Sequence, residues 1–522
     1  HLPLEQAQLL RVAAVVGLEF STPVLAELSG SDHVEELLRA LRHEDLIYAT
    51  SDVDTFRFKH GVARDVIYET VLRAERRRLH GAVAHLIAQS VAANSNSDQS
   101  ESLAYHYAGS DDHARAAMYS ALAGEKALQQ SSLDRARFHF AAALAALDKL
   151  PQDRETKQRW LDLSMRWAEP SAYSPRRENI QVMERAARLG AELGDVNAQC
   201  RSGYWLGWFY FVLGDYANSI EAHQRALDFA SAANDHRMVA QLWSNLGQVY
   251  GAAGEYTEAL PLLTRGLESK KNRGQSQSLT RAVGYAHAMA CKGLLHSDRG
   301  EFDLVDQHFG EALEVVQGSN HPMEASILSQ QCLALLRRGE WSLCVEASQR
   351  SMHAAERKGI PFLVAQSRFF HGFARFMQEP NHLWIERMRR ALDWLDLMEQ
   401  GLYSSFLYAC TADAYLSLGE TEVAAEFSGR ALRRVDKRDL LGEAAGYRVQ
   451  ARLSSLQEGT TAEQTDASLM RAFRAAEARK SPREHVLTNL LQAELWLERG
   501  EHERAYFAAE AARSEFTRMQ MS

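Results

Sequence analysis

Apolar residues recur along most of this chain with the period of a helix, and they do so in paired stretches. Between Leu242 and Leu267, Trp243, Leu246, Gly247 and Tyr250 fall at i, i+3, i+4 and i+7, which is one helix face. Gly254 ends that helix, because glycine adopts the left-handed cap at little cost. Tyr256, Ala259, Leu263 and Gly266 give a second helix its own stripe. The small residues Gly247, Ala259 and Gly266 let the two helices approach closely, while Trp243 and Tyr250 fill the groove between them.

The unit repeats. Glycine followed by an acid stands at Gly214-Asp215, Gly254-Glu255, Gly300-Glu301, Gly339-Glu340, Gly419-Glu420 and Gly500-Glu501, in steps of 40, 46, 39, 80 and 81 residues. The two double steps each conceal one further repeat. Seven residues before these glycines stand Gly207, Gly247, Gly293, Cys332, Ala412 and Ala493; twelve after stand Ala226, Gly266, Ala312, Ser351, Ala431 and Ala512. All are small or compact. The pattern predicts helix pairs near 112–149, 155–193, 197–232, 236–270, 278–317, 322–357, 361–399, 403–435, 440–479 and 484–519. Loops are expected at Pro170–Pro175, Lys270–Ser278 and Gly459–Gln464.

The order of Trp, Leu-Gly, Tyr and then Ala resembles the tetratricopeptide repeat. That resemblance implies a mainly α chain, with an α–α superhelix of about ten helix pairs over 101–522. A period near 40 exceeds the usual 34, so helices longer by up to a turn are expected.

The first ninety residues follow another plan. Leu9, Leu10, Ala13 and Val16 mark a helix from Leu4 to Val16. Ser21 and Pro23 start a second, ending at Ser29-Gly30. Asp32 with Glu35 suggests a capping box for a third, through Leu41. Leu46–Thr50 and Thr55–Lys59 alternate around a polar turn and read as a β-hairpin. Three helices and a two-stranded wing describe a winged-helix domain over 1–90, with further helices from Val62 to Glu75 and from Arg76 to Ser90. Residues 91–100 read as a polar linker.

Composition narrows the picture. Net charge is −9 over 522 residues, which disfavours a surface that coats nucleic acid. The five cysteines show no metal spacing and read as buried free thiols. No apolar run is long enough for a membrane span, and no signal peptide opens the chain, so a cytoplasmic location without membrane partners is expected. The first residue is His1, so the chain is expected to be a piece of a longer protein.

Phe56-Arg-Phe-Lys-His60, followed by Asp65, Tyr68, Leu79 and His80, resembles the segment after the ATPase module in STAND-type signalling proteins. These include large bacterial transcriptional regulators and ATPase-linked adenylate or guanylate cyclases. Leu103-Ala-Tyr-His-Tyr107 makes the cyclase-linked type the nearer resemblance. The resemblance implies that a module N-terminal to His1 packs on the winged helix, and that His60 contacts the β-phosphate of its bound ADP. The alternative is that His60 caps the helix beginning at Gly61 and packs under the wing.

No phosphate loop, HExxH, GxSxG or Rossmann glycine set placed after a strand occurs. The expectation is therefore a non-catalytic regulatory region that binds no cofactor of its own. The other function class is a DNA-binding winged helix with a helical effector domain. Seven cations against three carboxylates between Phe56 and His80 favour it, whereas the acidic helix at Asp32–Leu41 opposes it. A protein or peptide is expected in a concave groove lined by first helices. Its anchors would be Tyr204, Trp208 and Phe211 in one repeat and Phe369, Phe373 and Phe376 in another, with Arg201 and Arg368 at the rim. The alternative is that these rings fill the space between neighbouring repeats.

Overall fold

The computed structural model describes the chain except residues 1, 53, 94–98, 131, 272–278, 319–320, 460 and 522. Half of the expected linker at 91–100, residues 94–98, and most of the loop after Lys270 lie outside the described residues. The chain divides into two compact units, His1–Ser171 and Ala172–Ser522.

The first unit opens with α1 (Leu4–Val16), β1 (Glu19–Ser21), α2 (Thr22–Ser29), α3 (Val34–His43), β2 (Ile47–Ala49), β3 (Thr55–Phe58) and α4 (Gly61–Glu69). The strands form an antiparallel sheet in the order β1-β3-β2, with Phe20 opposite Phe56 and Ile47 opposite Phe58. The hairpin matches the expectation; β1 was not anticipated, because three residues are too few to show alternation. Phe20 turns inward against Phe56 and Phe58, with ring centroids 6.5 and 5.3 Å away, over a core that includes Leu10, Leu25 and Leu38. The capping box at Asp32 does not form: α3 begins two residues later without a side-chain cap, and Ser31 Oγ instead accepts the His33 N–H at 3.3 Å. The break expected at residue 75 falls at 70–72, where Thr70 Oγ1 donates to the Ile67 carbonyl at 2.6 Å. There follow α5 (Arg73–Ala93), α6 (Ser100–Ala108), α7 (His113–Gln129), α8 (Leu133–Leu147) and α9 (Arg154–Ser171).

The second unit starts with α10 (Arg177–Leu193) and continues as helix pairs. These are α11 and α12 (Val196–Val212, Tyr216–Ala232), α13 and α14 (His236–Ala253, Tyr256–Lys271), α15 and α16 (Leu279–Asp298, Phe302–Val316), and α17 and α18 (Met323–Arg338, Trp341–Lys358). Then come α19 and α20 (Pro361–Gln378, His382–Leu397), α21 and α22 (Ser404–Ser417, Thr421–Arg433), α23 and α24 (Glu443–Leu456, Ala462–Ala478), and α25 and α26 (Pro482–Glu498, His502–Arg518). The glycine of each doublet sits at positive φ and stops the first helix. Its acidic neighbour stands at the N-cap position of the second helix; Asp215 caps with its side chain by accepting the Asn218 N–H, whereas Glu301, Glu340, Glu420 and Glu501 make no side-chain cap bond. In the two concealed repeats other residues do that work: Asn381 caps α20, and Thr461 with Gln464 forms a capping box on α24. The small positions mark the close approaches expected of them. A Cβ added at Gly247 would meet Leu263 at 2.7 Å, and one at Gly207 the His223 ring at 2.3 Å. All five cysteines are free and buried.

Successive turns of the superhelix touch. The loop between α20 and α21 meets the turn between α11 and α12, where Gly401 N–H donates to the Val212 carbonyl at 3.1 Å and Tyr403 N–H to Tyr216 Oη at 3.0 Å. One repeat on, Leu440 N–H reaches the Ala253 carbonyl at 3.0 Å, and Arg438 pairs with Glu255. Further along, Ser481 Oγ donates to the Asp298 carbonyl at 3.0 Å and Arg483 Nε to the Arg337 carbonyl at 2.7 Å. The Tyr403, Arg438 and Ser481 contacts span 187, 183 and 183 residues, so the array returns on itself after between four and five repeats.

This seam predicts unequal costs for two glycine substitutions. A Cβ at Gly401 would lie 2.2 Å from the Leu213 carbonyl oxygen, which is backbone and cannot yield. Gly401→Ala should therefore cost about 3 kcal/mol through overpacking. Gly419, at φ +82° with open space around it, should cost only about 1 kcal/mol on conversion to alanine. Denaturant midpoints of the two variants measure the difference.

Candidate functional site

The sequence-predicted groove is not an open groove. Phe211, Phe369, Phe373 and Phe376 are buried, and Tyr204 and Trp208 are half-buried. Phe211 lies between Trp208 and Tyr216 at 5.7 and 6.0 Å, and Phe373 meets Trp341 edge-on at 6.4 Å. Trp208 Nε1 donates to the Ala172 carbonyl at 2.9 Å, and Tyr204 packs near His223. The reason is that first helices of neighbouring repeats pack directly on one another along these register positions. In the repeat at Gly247 the equivalent Ser244, Gln248 and Gly251 are also buried, with Gln248 bonded to His287 of α15 at 3.2 Å. Ser329 of α17 likewise donates to Gln366 of α19 at 2.7 Å. The four phenylalanines are thus core, a correction to the anchor reading. Arg201 is half-buried; Arg368 is exposed and pairs with Glu356 at 3.3 Å.

Where the superhelical turns meet, the second unit buries charge. Asp298 is fully inaccessible, with Arg479 Nε at 3.0 Å, Arg337 Nε at 3.8 Å and Tyr256 Oη donating to it at 2.7 Å. Glu484 accepts from Arg448 at 2.7 Å and from Arg483 at 2.6 Å. Arg479 also donates to the carbonyls of Leu440 and Leu441. Burial alone would raise the Asp298 pKa; Arg479 and then Arg337 outweigh it and hold the carboxyl well below the usual range. Burial, with Asp298 beside it, pushes the Tyr256 hydroxyl up. Acids and bases here are committed to one another. The cluster was not legible in sequence, because its members come from α14, α15, α17, α23, the turn after α24 and the start of α25, far apart along the chain.

In the first unit the quoted motif assembles a second polar chain. Tyr68 Oη bonds His80 Nε2 at 3.0 Å, and His80 Nδ1 bonds His106 Nδ1 at 3.0 Å. The guanidiniums of Arg64 and Arg76 both lie over the Tyr68 ring, at 4.8 and 4.2 Å. Arg64 also donates to the Ala14 carbonyl and to Tyr105 Oη. Arg76 is folded inward, where it also donates to the Val71 carbonyl at 3.1 Å. Burial first, then the nearby arginines, lower the His80 pKa to about 4. Burial, with His80 beside it, lowers that of His106 to about 3. His60 is exposed at the N-cap of α4; its side chain makes no capping bond, and its carbonyl accepts the Ala63 and Arg64 N–H groups.

A concavity opens at the surface of the second unit. It lies among α18, α19 and α20, encloses about 760 Å³, and includes Arg368 at its mouth.

Residues 201–272 match the tetratricopeptide repeat family. The other pairs of the second unit repeat that two-helix plan. No curated protein matches the chain. Among solved structures, the chain is similar to a Rap protein crystallised with Competence and Sporulation Factor. That likeness has 10% identity and a TM-score of 0.39, over 77% of this chain and 98% of the other. It is also similar to a STAND protein with a tetratricopeptide repeat sensor from Pyrococcus horikoshii, at 12% identity and a TM-score of 0.27, over 99% of this chain and 63% of the other. A third likeness is to aspartyl phosphate phosphatase F of Bacillus subtilis, at 11% identity and a TM-score of 0.31, over 75% of this chain and 91% of the other.

Two outcomes follow from these clusters. Asp298→Ala leaves buried Arg337 without an acid and Arg479 with only the more distant Glu484, and should cost about 3–5 kcal/mol, whereas Asp306→Ala, which breaks an exposed pair with Arg338, should cost under about 1 kcal/mol. Denaturant unfolding separates them. Because the folded-state pKa values of His80 and His106 lie below the unfolded value of about 6.5, the unfolded chain binds more protons in acid. Their contribution is complete above pH 6.5 and is lost as the pH falls towards 4, by up to about 1.4 kcal/mol per histidine for each pH unit. A His80→Gln/His106→Gln variant should show a flatter urea midpoint between pH 6.5 and 5.

Proposed function

We propose that this chain is a non-catalytic regulatory and protein-interaction region of a larger signalling protein of the STAND ATPase type. The observation that carries this reading is the repeat array itself. Residues 201–272 match an interaction repeat, and the same helix pairing continues to Arg518. A partner would engage the accessible surface of the array, where Arg368 is exposed, rather than the buried aromatic lines.

The order helix, strand, two helices and hairpin at the start of the chain fits a winged-helix domain, and its role is to pack against an ATPase module outside this chain. Support comes from α4, which begins beside exposed His60 and leaves Val62 and Val66 exposed, with Leu72 just beyond it. An apolar strip of this kind calls for a cover. His60 at its edge would meet the phosphates of a nucleotide held by that module. A cyclase output fits the Leu103–Tyr107 segment. The first turn of α3 carries Glu35 and Glu36, both exposed, which weighs against insertion into a DNA groove.

In the full-length protein, His60→Ala should shorten ADP retention and raise basal turnover on the order of tenfold, and Val66→Glu should loosen the module. Unchanged ADP retention in both variants overturns the nucleotide-sensing role. Turnover of ATP by this chain alone, abolished by a point mutation within it, overturns the non-catalytic reading.

A further inference from the structure

We propose that the concavity among α18, α19 and α20 binds a small amphipathic anion, with an aliphatic or aromatic body and a single carboxylate head. The proposal does not depend on the signalling role above. The volume of about 760 Å³ falls in the range of small-molecule sites and is too small for a protein domain.

The wall is apolar. Met352, Ile360, Val364, Ala365, Ala391 and Trp394 line it, from all three helices and the loop between α18 and α19. Its depth comes from side chains that stop short: Ala355 on α18, Ala365 on α19 and Ala391 on α20. The second helices of neighbouring repeats stand on either side, and the outer face of α19 forms the floor.

The mouth is cationic. Arg368, Arg387 and Arg390 are all exposed there, against Glu356 as the one carboxylate among the lining residues. Arg368 reaches Glu356 at 3.3 Å, and Arg390 reaches Glu386 at 2.9 Å along its own helix. Both are surface pairs that water already weakens, so exchanging a partner costs little. Arg387 lies over the Trp384 ring at 4.7 Å, and among the described residues no carboxylate forms an ion pair with it. In a chain of net charge −9, three arginines around one apolar hollow run against the overall balance. A carboxylate head at the mouth would receive bidentate bonds from Arg387 or Arg368, while its body removed the apolar wall from water.

Occupancy would also reach the seam. Trp394 lines the hollow in the last turn of α20, and its carbonyl accepts the Met398 N–H just before Gln400 and Gly401. A ligand wedged between α18 and α20 would fix the segment that delivers Gly401 to Val212.

The test is calorimetric titration of the full chain with decanoate and with 2-naphthoate, against decanol and acetate. Saturable binding of at least one of the first two, at least tenfold tighter than decanol and acetate, is expected. Arg387→Glu combined with Arg368→Glu should reduce that affinity at least tenfold, and Met352→Trp, which fills the hollow, should abolish it. Melting curves of each variant show that the array remains folded; Arg387→Ala serves if the double variant does not. Absence of saturable binding by both anions, equal binding of decanol, or affinity untouched by the variants that fold overturns the proposal.

Discussion

A carboxylate taken wholly out of water organises the second unit. Asp298 ends the first helix of one repeat, and its oxygens meet Arg337 from the next repeat and Arg479 from a loop almost a full superhelical turn away. An isolated buried charge costs several kcal/mol, so the three elements must arrive together or none is stable in place. Replacement by apolar side chains would relieve that cost. The charges join the repeats that stand opposite one another, alongside backbone contacts such as Gly401 N–H to Val212 and Leu440 N–H to Ala253. The surrounding core accepts the arrangement because the arginines find carbonyls as well, at Leu294 for Arg337 and at Leu440 and Leu441 for Arg479.

The same constraint explains why some capping glycines answer two demands. Gly214, Gly254 and Gly300 stop helices at positive φ, and each also lies where a Cβ would strike the next superhelical turn, at Gly401, Arg479 and Met519 respectively. Gly419 and Gly500 stop helices in the same way and face open space. One residue type at one repeat position therefore serves local backbone geometry throughout and long-range packing only where turns overlap.

The local grammar was legible in the sequence. Doublets of glycine and acid gave the ends of first helices, the small positions gave the helix pairing, and the hairpin around Ser51–Asp54 followed from alternation. What local periods cannot carry is pitch. Whether Phe369 and Phe373 face a groove or a neighbouring helix depends on how far each repeat rotates against the last, and that angle has no signature within forty residues. The aromatic lines were visible, but their burial was not. Likewise Tyr68, His80 and His106 stood out in sequence, yet only folding shows that they form one hydrogen-bonded chain with Arg64 and Arg76 clasping the tyrosine ring. The doublet is absent after the first helices α19 and α23, which end at Gln378 and Leu456; there Asn381 and Thr461 cap the second helices.

Contact between successive turns changes what kind of object a repeat array is. An open solenoid is nearly one-dimensional: it stretches like a spring, and it tolerates gain or loss of a unit, since each repeat knows only its neighbours. Here Tyr216 is tied to Tyr403 and Glu255 to Arg438 across more than 180 residues. Deleting one repeat between them would displace every such pair by about one unit at once. The array is thus fixed in repeat number over this stretch and resists axial extension.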